Sequence, residues 1–420
     1  FNYLWARHSG GKFIVRIEDT DPARDKPEYE KDILENLQWL GIQHDAFHRQ
    51  SENKDKHAAA IRKLIDANAA YVSKEPAKDD PGREVEVVRF RNPNRAVTFT
   101  DELRGEITVH SGDLGDFVIA RSLTEPVHHL AVVVDDADEG VTLAMRGEDL
   151  LSNTPRQILI QEALGIEKPQ YLHLPLILAP DRTKLSKRRH ATSIGDFRAK
   201  GYLPQALVNF LTFLGWNPGT EKEIFTLEEL IAEFSIENIQ KNGAIFNEEK
   251  LNWMNREHIL RLSDDAFISR ASSFLSHTTV SNLEKNGMFE KLLPVMRERI
   301  QTFDELKTME ERGEWEYFMT PPAVDVARLS PKNASPNETR VRLEGALKLL
   351  QALPRESWTQ DAVKSVLWPY AESEGKGVVL WPVRFALSGK EKSPDPFTIA
   401  GIIGKDETEK RIQSAVASLS

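Results

Sequence analysis

Residues 13–17, Phe-Ile-Val-Arg-Ile, are a short β-branched run that follows Gly10-Gly11 and passes straight into Glu18-Asp19-Thr20-Asp21-Pro22. Such a run, bounded by turn residues, reads as a buried strand. A helix follows it closely. Pro27 suits a first helical turn, Ile33, Leu34, Leu37 and Leu40 make an apolar stripe, and Gly41 suits the stop. A second helix is predicted from Ser51 to Ala70, with further strands at 130–134 and 141–146. Strand, helix and strand in this rhythm restrict the first part of the chain to an α/β fold with a parallel sheet.

The texture changes between 73 and 125. Lys74 to Arg83 is polar with two prolines and reads as a loop, whereas Val85–Phe90 and Ile107–His110 read as strands. The segment is expected to be an insertion between two halves of the sheet. Arg89 and Arg91 are two apart, so a strand would turn them to one side, either toward RNA or simply toward solvent. The sheet pattern then resumes. Asn153-Thr154-Pro155 opens a helix that Gly165 closes, and Tyr171–Leu178 reads as a strand. Beyond Gly201 the chain is mostly helical. Pro321, Pro322, Pro331 and Pro336 mark a loop inside that helical part. At 420 residues, two to four folding units are expected.

Composition removes several classes. There is no cysteine, so disulfides and cysteine-built zinc sites are excluded, and a reducing cytosol is the expected compartment. No apolar run reaches membrane-spanning length. The 55 basic and 65 acidic residues give a net charge of −10, which requires any nucleic-acid contact to use a local basic strip. The first residues, Phe-Asn-Tyr-Leu-Trp-Ala-Arg-His, read as the inside of a helix rather than a leader, as if earlier residues were missing.

Asp181-Arg182-Thr183-Lys184-Leu185-Ser186-Lys187-Arg188-Arg189 is the sharpest local feature. Two ammonium groups and a hydroxyl on one loop suit a triphosphate, where they would neutralise charge building on pyrophosphate. A plain basic surface loop fits the same residues. Glu18, Asp19 and Asp21 form an acidic turn or a metal cluster. Arg146 ends a strand, where its fork could grip a substrate carboxylate or pair with Glu148 or Asp149. No metal ligands are assigned.

Lys184 to Arg188 resembles the Lys-Met-Ser-Lys-Ser signature of class I aminoacyl-tRNA synthetases. Further segments are similar to those of the bacterial type of glutamyl-tRNA synthetases. They are Phe13–Asp21, Arg146-Gly147-Glu148-Asp149 running into Ser152–Gln157, Gly201–Leu207 through Leu214-Gly215-Trp216, and Phe246–Asn255. The resemblance spans nearly the whole chain, more weakly after about residue 270. It implies a Rossmann-like parallel-sheet catalytic domain with an insertion, followed by an all-α anticodon-binding domain. The implied division is 1–72 and 126–180 for the catalytic domain, 73–125 for the acceptor-end insertion, 181–260 for the Lys-Leu-Ser-Lys-Arg loop and stem-contact region, and 261–420 for the anticodon domain.

By the same resemblance, ATP and Mg²⁺ serve glutamate activation through a glutamyl-adenylate, and the aminoacyl group passes to tRNA(Glu), with tRNA(Gln) left open. Glu18, His128 and Arg146 would hold glutamate, Glu18 taking the α-amino group. Asp149, Leu176, Ile177, Lys184, Leu185, Ser186 and Lys187 would hold ATP, with Lys184 and Lys187 catalytic. Leu176 and Ile177 could equally be plain core. Arg384, Ser393 and Pro394 would contact the anticodon. His128 and Leu150 depart from the tyrosine and larger ring usual in the family. The first ATP signature and an early arginine would precede Phe1. A cytoplasmic monomer is implied. The rival readings are a nucleotidyltransferase with a similar sheet and a non-catalytic tRNA-binding relative. A third, the shorter enzyme that glutamylates a modified tRNA base, is opposed by the long helical second half.

Overall fold

The computed structural model describes residues 1–20, 26–77, 82–185 and 193–419. The chain divides into two compact units, Phe1–Arg198 with Leu203–Met254, and Ala199–Tyr202 with Asn255–Ser420.

The first unit opens with α1 (Asn2–His8), β1 (Ile14–Ile17), α2 (Pro27–Trp39), β2 (Ala46–Arg49) and α3 (Lys54–Asp66). β1 and β2 run parallel, with Ile14 opposite Ala46 and Ile17 opposite Arg49. Pro27 starts α2, and Gly41 follows its end at φ +77°, a left-handed conformation that glycine takes without steric cost. No residue of α2 is fully buried, and Ile33 on its apolar stripe is 43% exposed.

Next come β3 (Ala70–Pro76), β4 (Glu84–Phe90), β5 (Ala96–Asp101), β6 (Gly105–His110) and β7 (Phe117–Ala120). β3, β4 and β7 form an antiparallel sheet. Arg89 of β4 pairs with Glu75 of β3, and the Arg91 guanidinium lies 4.5 Å from the Tyr71 ring centre, so both have protein partners.

The chain continues through α4 (His128–Asp138), β8 (Leu143–Gly147), α5 (Thr154–Leu164) and β9 (Gln170–Leu174). β5 joins β9 in parallel at Asp101 opposite Tyr171, and β8 flanks β9 in parallel on its other side. The order β6-β5-β9-β8 therefore brings a hairpin from the 73–125 segment into the same sheet as Arg146. The parallel expectation holds for β1–β2 and β8–β9, and β5–β9 is a parallel pair the insertion was not expected to make.

One predicted strand is corrected. Residues 130–134 lie inside α4, where Leu130, Ala131, Val132 and Val133 are all buried. The β-branched run suggested extension. An apolar stretch enclosed on several sides carries no periodicity that separates strand from helix, and here packing decided. Other boundaries move. The helix predicted from Ser51 to Ala70 begins at Lys54 after a 3-10 turn, Gln50–Asn53, and ends at Asp66, with Ala70 opening β3, and the strand predicted to Leu178 stops at Leu174 before Pro175. α5 begins at Thr154 and ends at Gly165 in the left-handed region, but Asn153 makes no side-chain capping bond. It closes the 3-10 turn Glu148–Asn153 in helical backbone geometry, which withholds its side chain from the cap position.

Apolar cores hold this unit. One gathers Ile61, Leu64, Phe90, Ile119, Leu130, Val133 and Ile158 between α3, α4, α5 and the strands. The other packs Leu4, Met145, Leu172, Trp216, Phe225 and Phe234. Trp216 is fully buried, stacks on Phe234 with ring centres 5.9 Å apart, and donates from its indole to Ser235 O at 3.1 Å. That hydrogen bond lets a large ring be buried without stranding its polar atom.

The described elements of the second unit are helices. Pro336–Ala352 begins at a capping box in which Ser335 accepts from the Glu338 backbone and Glu338 accepts from Ser335. Gly201, in the chain's excursion into this unit, has φ +78°, and a Cβ there would lie 2.6 Å from Phe303 Cβ and 2.8 Å from Phe303 N. Gly201→Ala is therefore expected to cost about 2–4 kcal/mol, combining left-handed strain with overpacking. Chemical denaturation followed by tryptophan fluorescence would measure it.

Candidate active site

The site is built where strands end. β1 finishes at Ile17, so Glu18 follows at its carboxyl end, and β8 carries Arg146 near its own carboxyl end. Open α/β sheets offer ligand crevices at these ends. Glu18, His128, Arg146 and Leu150 line one cavity of about 270 Å³, together with Arg16, Asp136 and Glu139.

Glu18 has an oxygen 3.3 Å from His128 Nε2 at the start of α4. The hydrogen bond from His128 holds the Glu18 carboxyl below its ordinary range, against the opposing effect of burial. Two hydrogen bonds fix the turn after it: Asp19 accepts from the Ser51 backbone at 2.7 Å and from its hydroxyl at 2.5 Å. Ser51 sits in the 3-10 turn whose neighbours, Gln50 and Asn53, donate to Asp135 at 2.8 and 3.0 Å. His57 lies 2.8 Å from the same carboxylate, and Gln50, His57 and Asp135 are fully buried.

Two arginines serve the cavity, with opposite surroundings. Arg16 meets Glu139 at 2.6 Å and Asp136 at 2.8 Å. Burial pushes both of those carboxyls up, and Arg16 opposes it. Arg146 has no carboxylate partner among the described residues. Its Nε donates to His173 Nε2 at 3.2 Å, and its Nη2 donates to Thr154 Oγ1 at 2.9 Å and Gln157 Oε1 at 2.7 Å. Burial lowers its pKa from the ordinary arginine value, with little charge nearby to counter it.

The residues after Arg146 carry the site outward. Glu148 pairs with Arg104 and accepts the backbone N–H of Leu176 at 3.2 Å. Asp149 holds Lys184 Nζ at 2.7 Å, which keeps the Asp149 carboxyl below its usual range. Leu176 and Ile177 line a second cavity of about 190 Å³ with Leu174, Leu214, Gly215 and Ala244. Ile177 O accepts from Leu185 N at 3.1 Å, so the start of the lysine loop runs beside this segment. Ser186 and Lys187 lie outside the described residues, as does Asp21 of the acidic turn.

In the second unit, Arg384, Ser393 and Pro394 line one cavity of about 440 Å³ with Arg299, Lys392 and Asp395. The Arg384 guanidinium lies 5.0 Å from the Trp381 ring centre, and its Nη2 donates to Glu391 O at 2.9 Å.

The model of the class I tRNA synthetase (E and Q) catalytic domain matches residues 1–86 and 77–253, and an anticodon-binding-domain model matches 266–416. The glutamate–tRNA ligase of Desulforamulus reducens is 35% identical over 465 residues, covering 99% of this chain and 95% of the relative. That of Aquifex aeolicus is 36% identical, covering 100% and 95%. The chain belongs to the glutamate–tRNA ligase family. Among solved structures, a glutamate tRNA ligase from Elizabethkingia meningosepticum in complex with its amino acid superposes with a TM-score of 0.84 at 27% identity, over 100% of this chain and 95% of that one. Among the described residues, no helix is long and apolar enough to cross a membrane.

Against this family, the departures noted in sequence, His128 and Leu150, both face the first cavity. Sequence reading missed Arg16, Asp136, Glu139 and His173. Arg16 and His173 are polar residues inside apolar runs and Asp136 closely follows one, and that oddity was the available signal; Glu139, among acidic neighbours, offered none. The Asp135 cluster was missed as well, and it carries a test. Asp135→Ala strands the donors of Gln50, Asn53 and His57, and is expected to destabilise the first unit by about 3 kcal/mol. Urea unfolding monitored by circular dichroism would read the loss.

Proposed function

We propose that the chain activates L-glutamate with ATP as glutamyl-adenylate and transfers the glutamyl group to tRNA(Glu). One observation carries the assignment of the amino-acid pocket. A half-buried guanidinium with only neutral hydrogen-bond partners lines the same cavity as a carboxylate whose pKa a neighbouring histidine lowers. That arrangement is complementary to a zwitterion with an additional carboxylate. Glu18 would accept the substrate ammonium, and Arg146 would take a carboxylate. His128 would keep Glu18 ionised and wall the pocket where Leu150 leaves room.

The α-carboxylate of glutamate is already a nucleophile, so attack on the α-phosphorus of ATP needs no dedicated base. Catalysis is then positioning and charge stabilisation. Leu176 and Ile177, anchored to Glu148 and to Leu185, would line the adenine. Asp149 would hold Lys184 until a triphosphate offers it a stronger partner, and Lys187 would join it on the leaving pyrophosphate. Among the described residues no group of three or more His, Asp and Glu side chains converges to hold a metal ion. Mg²⁺ would accompany ATP on its phosphates, which suits its preference for oxygen and retained water. In the second unit, Arg384, held against Trp381, offers a plane on which an unpaired anticodon base can stack, with Ser393 and Pro394 beside it.

Lys187→Ala in the full-length protein is expected to reduce ATP–pyrophosphate exchange, assayed with tRNA present, by about 100-fold or more while tRNA affinity in filter binding changes little. An equal loss of both would remove Lys187 from the transition state. Arg146→Gln is expected to raise the KM for glutamate by roughly 30-fold, the cost of a lost charged hydrogen bond, with KM for ATP nearly unchanged. Steady-state exchange kinetics would check it.

A further inference from the structure

Most of Arg146 is committed before any substrate arrives. A guanidinium carries five N–H groups, one on Nε and two on each Nη. The Nε hydrogen goes to His173, and both Nη2 hydrogens go to Thr154 and Gln157. The two hydrogens on Nη1 have no acceptor among the described residues.

His173, on β9, is fully buried. Its Nδ1 lies 2.7 Å from Asp101 Oδ2, which also accepts the His173 backbone N–H at 2.9 Å. The other oxygen of Asp101 accepts the backbone N–H groups of Leu103 and Arg104 at 3.1 and 2.9 Å. A carboxylate in such a setting only accepts, so the ring proton belongs on Nδ1 and Nε2 presents a lone pair. The Arg146 Nε–H aimed at Nε2 leaves that nitrogen without a proton, which makes the ring neutral, and burial also holds the imidazole below its ordinary range, with the Asp101 hydrogen bond opposing and Arg146 reinforcing. Nε2 then receives Arg146 Nε–H and, at 3.1 Å, the Thr154 hydroxyl, which itself accepts from Arg146. Arginine, threonine and histidine close a hydrogen-bonded triangle whose direction Asp101 sets from β5.

We propose that His173, with its tautomer fixed by Asp101, is a positioning residue that turns Arg146 so that Nη1 alone meets the substrate carboxylate. The grip is end-on, not across the fork between Nη1 and Nη2. This rests on the reading of Arg146 as the group that takes a carboxylate of glutamate.

Two near-isosteric substitutions separate the two ring nitrogens. His173→Asn retains a donor near Nδ1 for Asp101 but places nothing at Nε2. His173→Gln retains an acceptor near Nε2. In the full-length protein, His173→Asn is expected to raise the KM for glutamate about tenfold or more, with kcat and the KM for ATP changing less than about threefold, and His173→Gln is expected to recover most of the loss. A His173→Asn protein with an unchanged glutamate KM, or with both substrate KM values raised equally, overturns the proposal. Should the position 173 variants fail to fold by circular dichroism, Thr154→Val decides. It removes the hydroxyl from the triangle and is expected to raise the glutamate KM about threefold, and no change overturns the proposal. Arg146→Lys serves as the control. If it leaves the glutamate KM unchanged, the underlying reading of Arg146 fails. If it raises that KM while His173→Asn does not, only the positioning role fails.

Discussion

The first unit is organised around a cation that the protein does not neutralise. Desolvating a guanidinium costs several kcal/mol even after relaxation, and a nearby carboxylate is the usual remedy. Arg146 instead has three neutral acceptors drawn from β9 and α5. Such hydrogen bonds to a charged group contribute about 1.5–3 kcal/mol each, enough to keep the side chain folded inward but not to replace a counter-ion. The remaining deficit is a binding preference. An anion entering the cavity gains the interaction that the fold withholds.

Arg16 shows the alternative in the same cavity. Its two close carboxylates, Asp136 and Glu139, with Glu18 farther off at 3.9 Å, close the charge within the protein. Together they carry one more negative charge than Arg16 supplies, and burial disfavours the ionised form of each. The cluster therefore has no demand for another anion, and its work is to join β1 to the end of α4. The two arginines are alike in chemistry and in sequence context. Only their partners distinguish a cation paired with carboxylates from one held by neutral groups.

That distinction explains what could be read from sequence. That Glu18 and Arg146 share a cavity could be anticipated because one follows an apolar strand and the other lies near the end of one, where a parallel sheet exposes side chains to ligand. The triangle behind Arg146 could not, since His173 lies 27 residues from Arg146 and 72 from Asp101 in the chain, and nothing local pairs them. Leu130–Val134 failed for a different reason: a run buried on several sides carries no period, so β-branching was read as a strand when helix packing had the larger say. The Asp101 hairpin was assigned to an insertion by its change of texture, yet one parallel contact, Asp101 opposite Tyr171, carries it into the sheet that holds Arg146.

The segment Arg146–Asp149 draws these elements into one device. Arg146 faces the first cavity, Glu148 fixes the backbone of Leu176 beside the second, and Asp149 restrains Lys184 at the root of the basic loop. Within four residues the chain turns a guanidinium to one cavity, anchors the backbone beside another and pairs with a lysine. A two-substrate condensation gains most from holding its reactants at a fixed separation, and errors of about 1 Å are costly. Placing all three contacts on one strand end and its following turn makes that separation a property of local backbone geometry. Any side chain that holds Arg146, as His173, Thr154 and Gln157 do by hydrogen bonds, then sets where its guanidinium lies relative to the Leu176 segment.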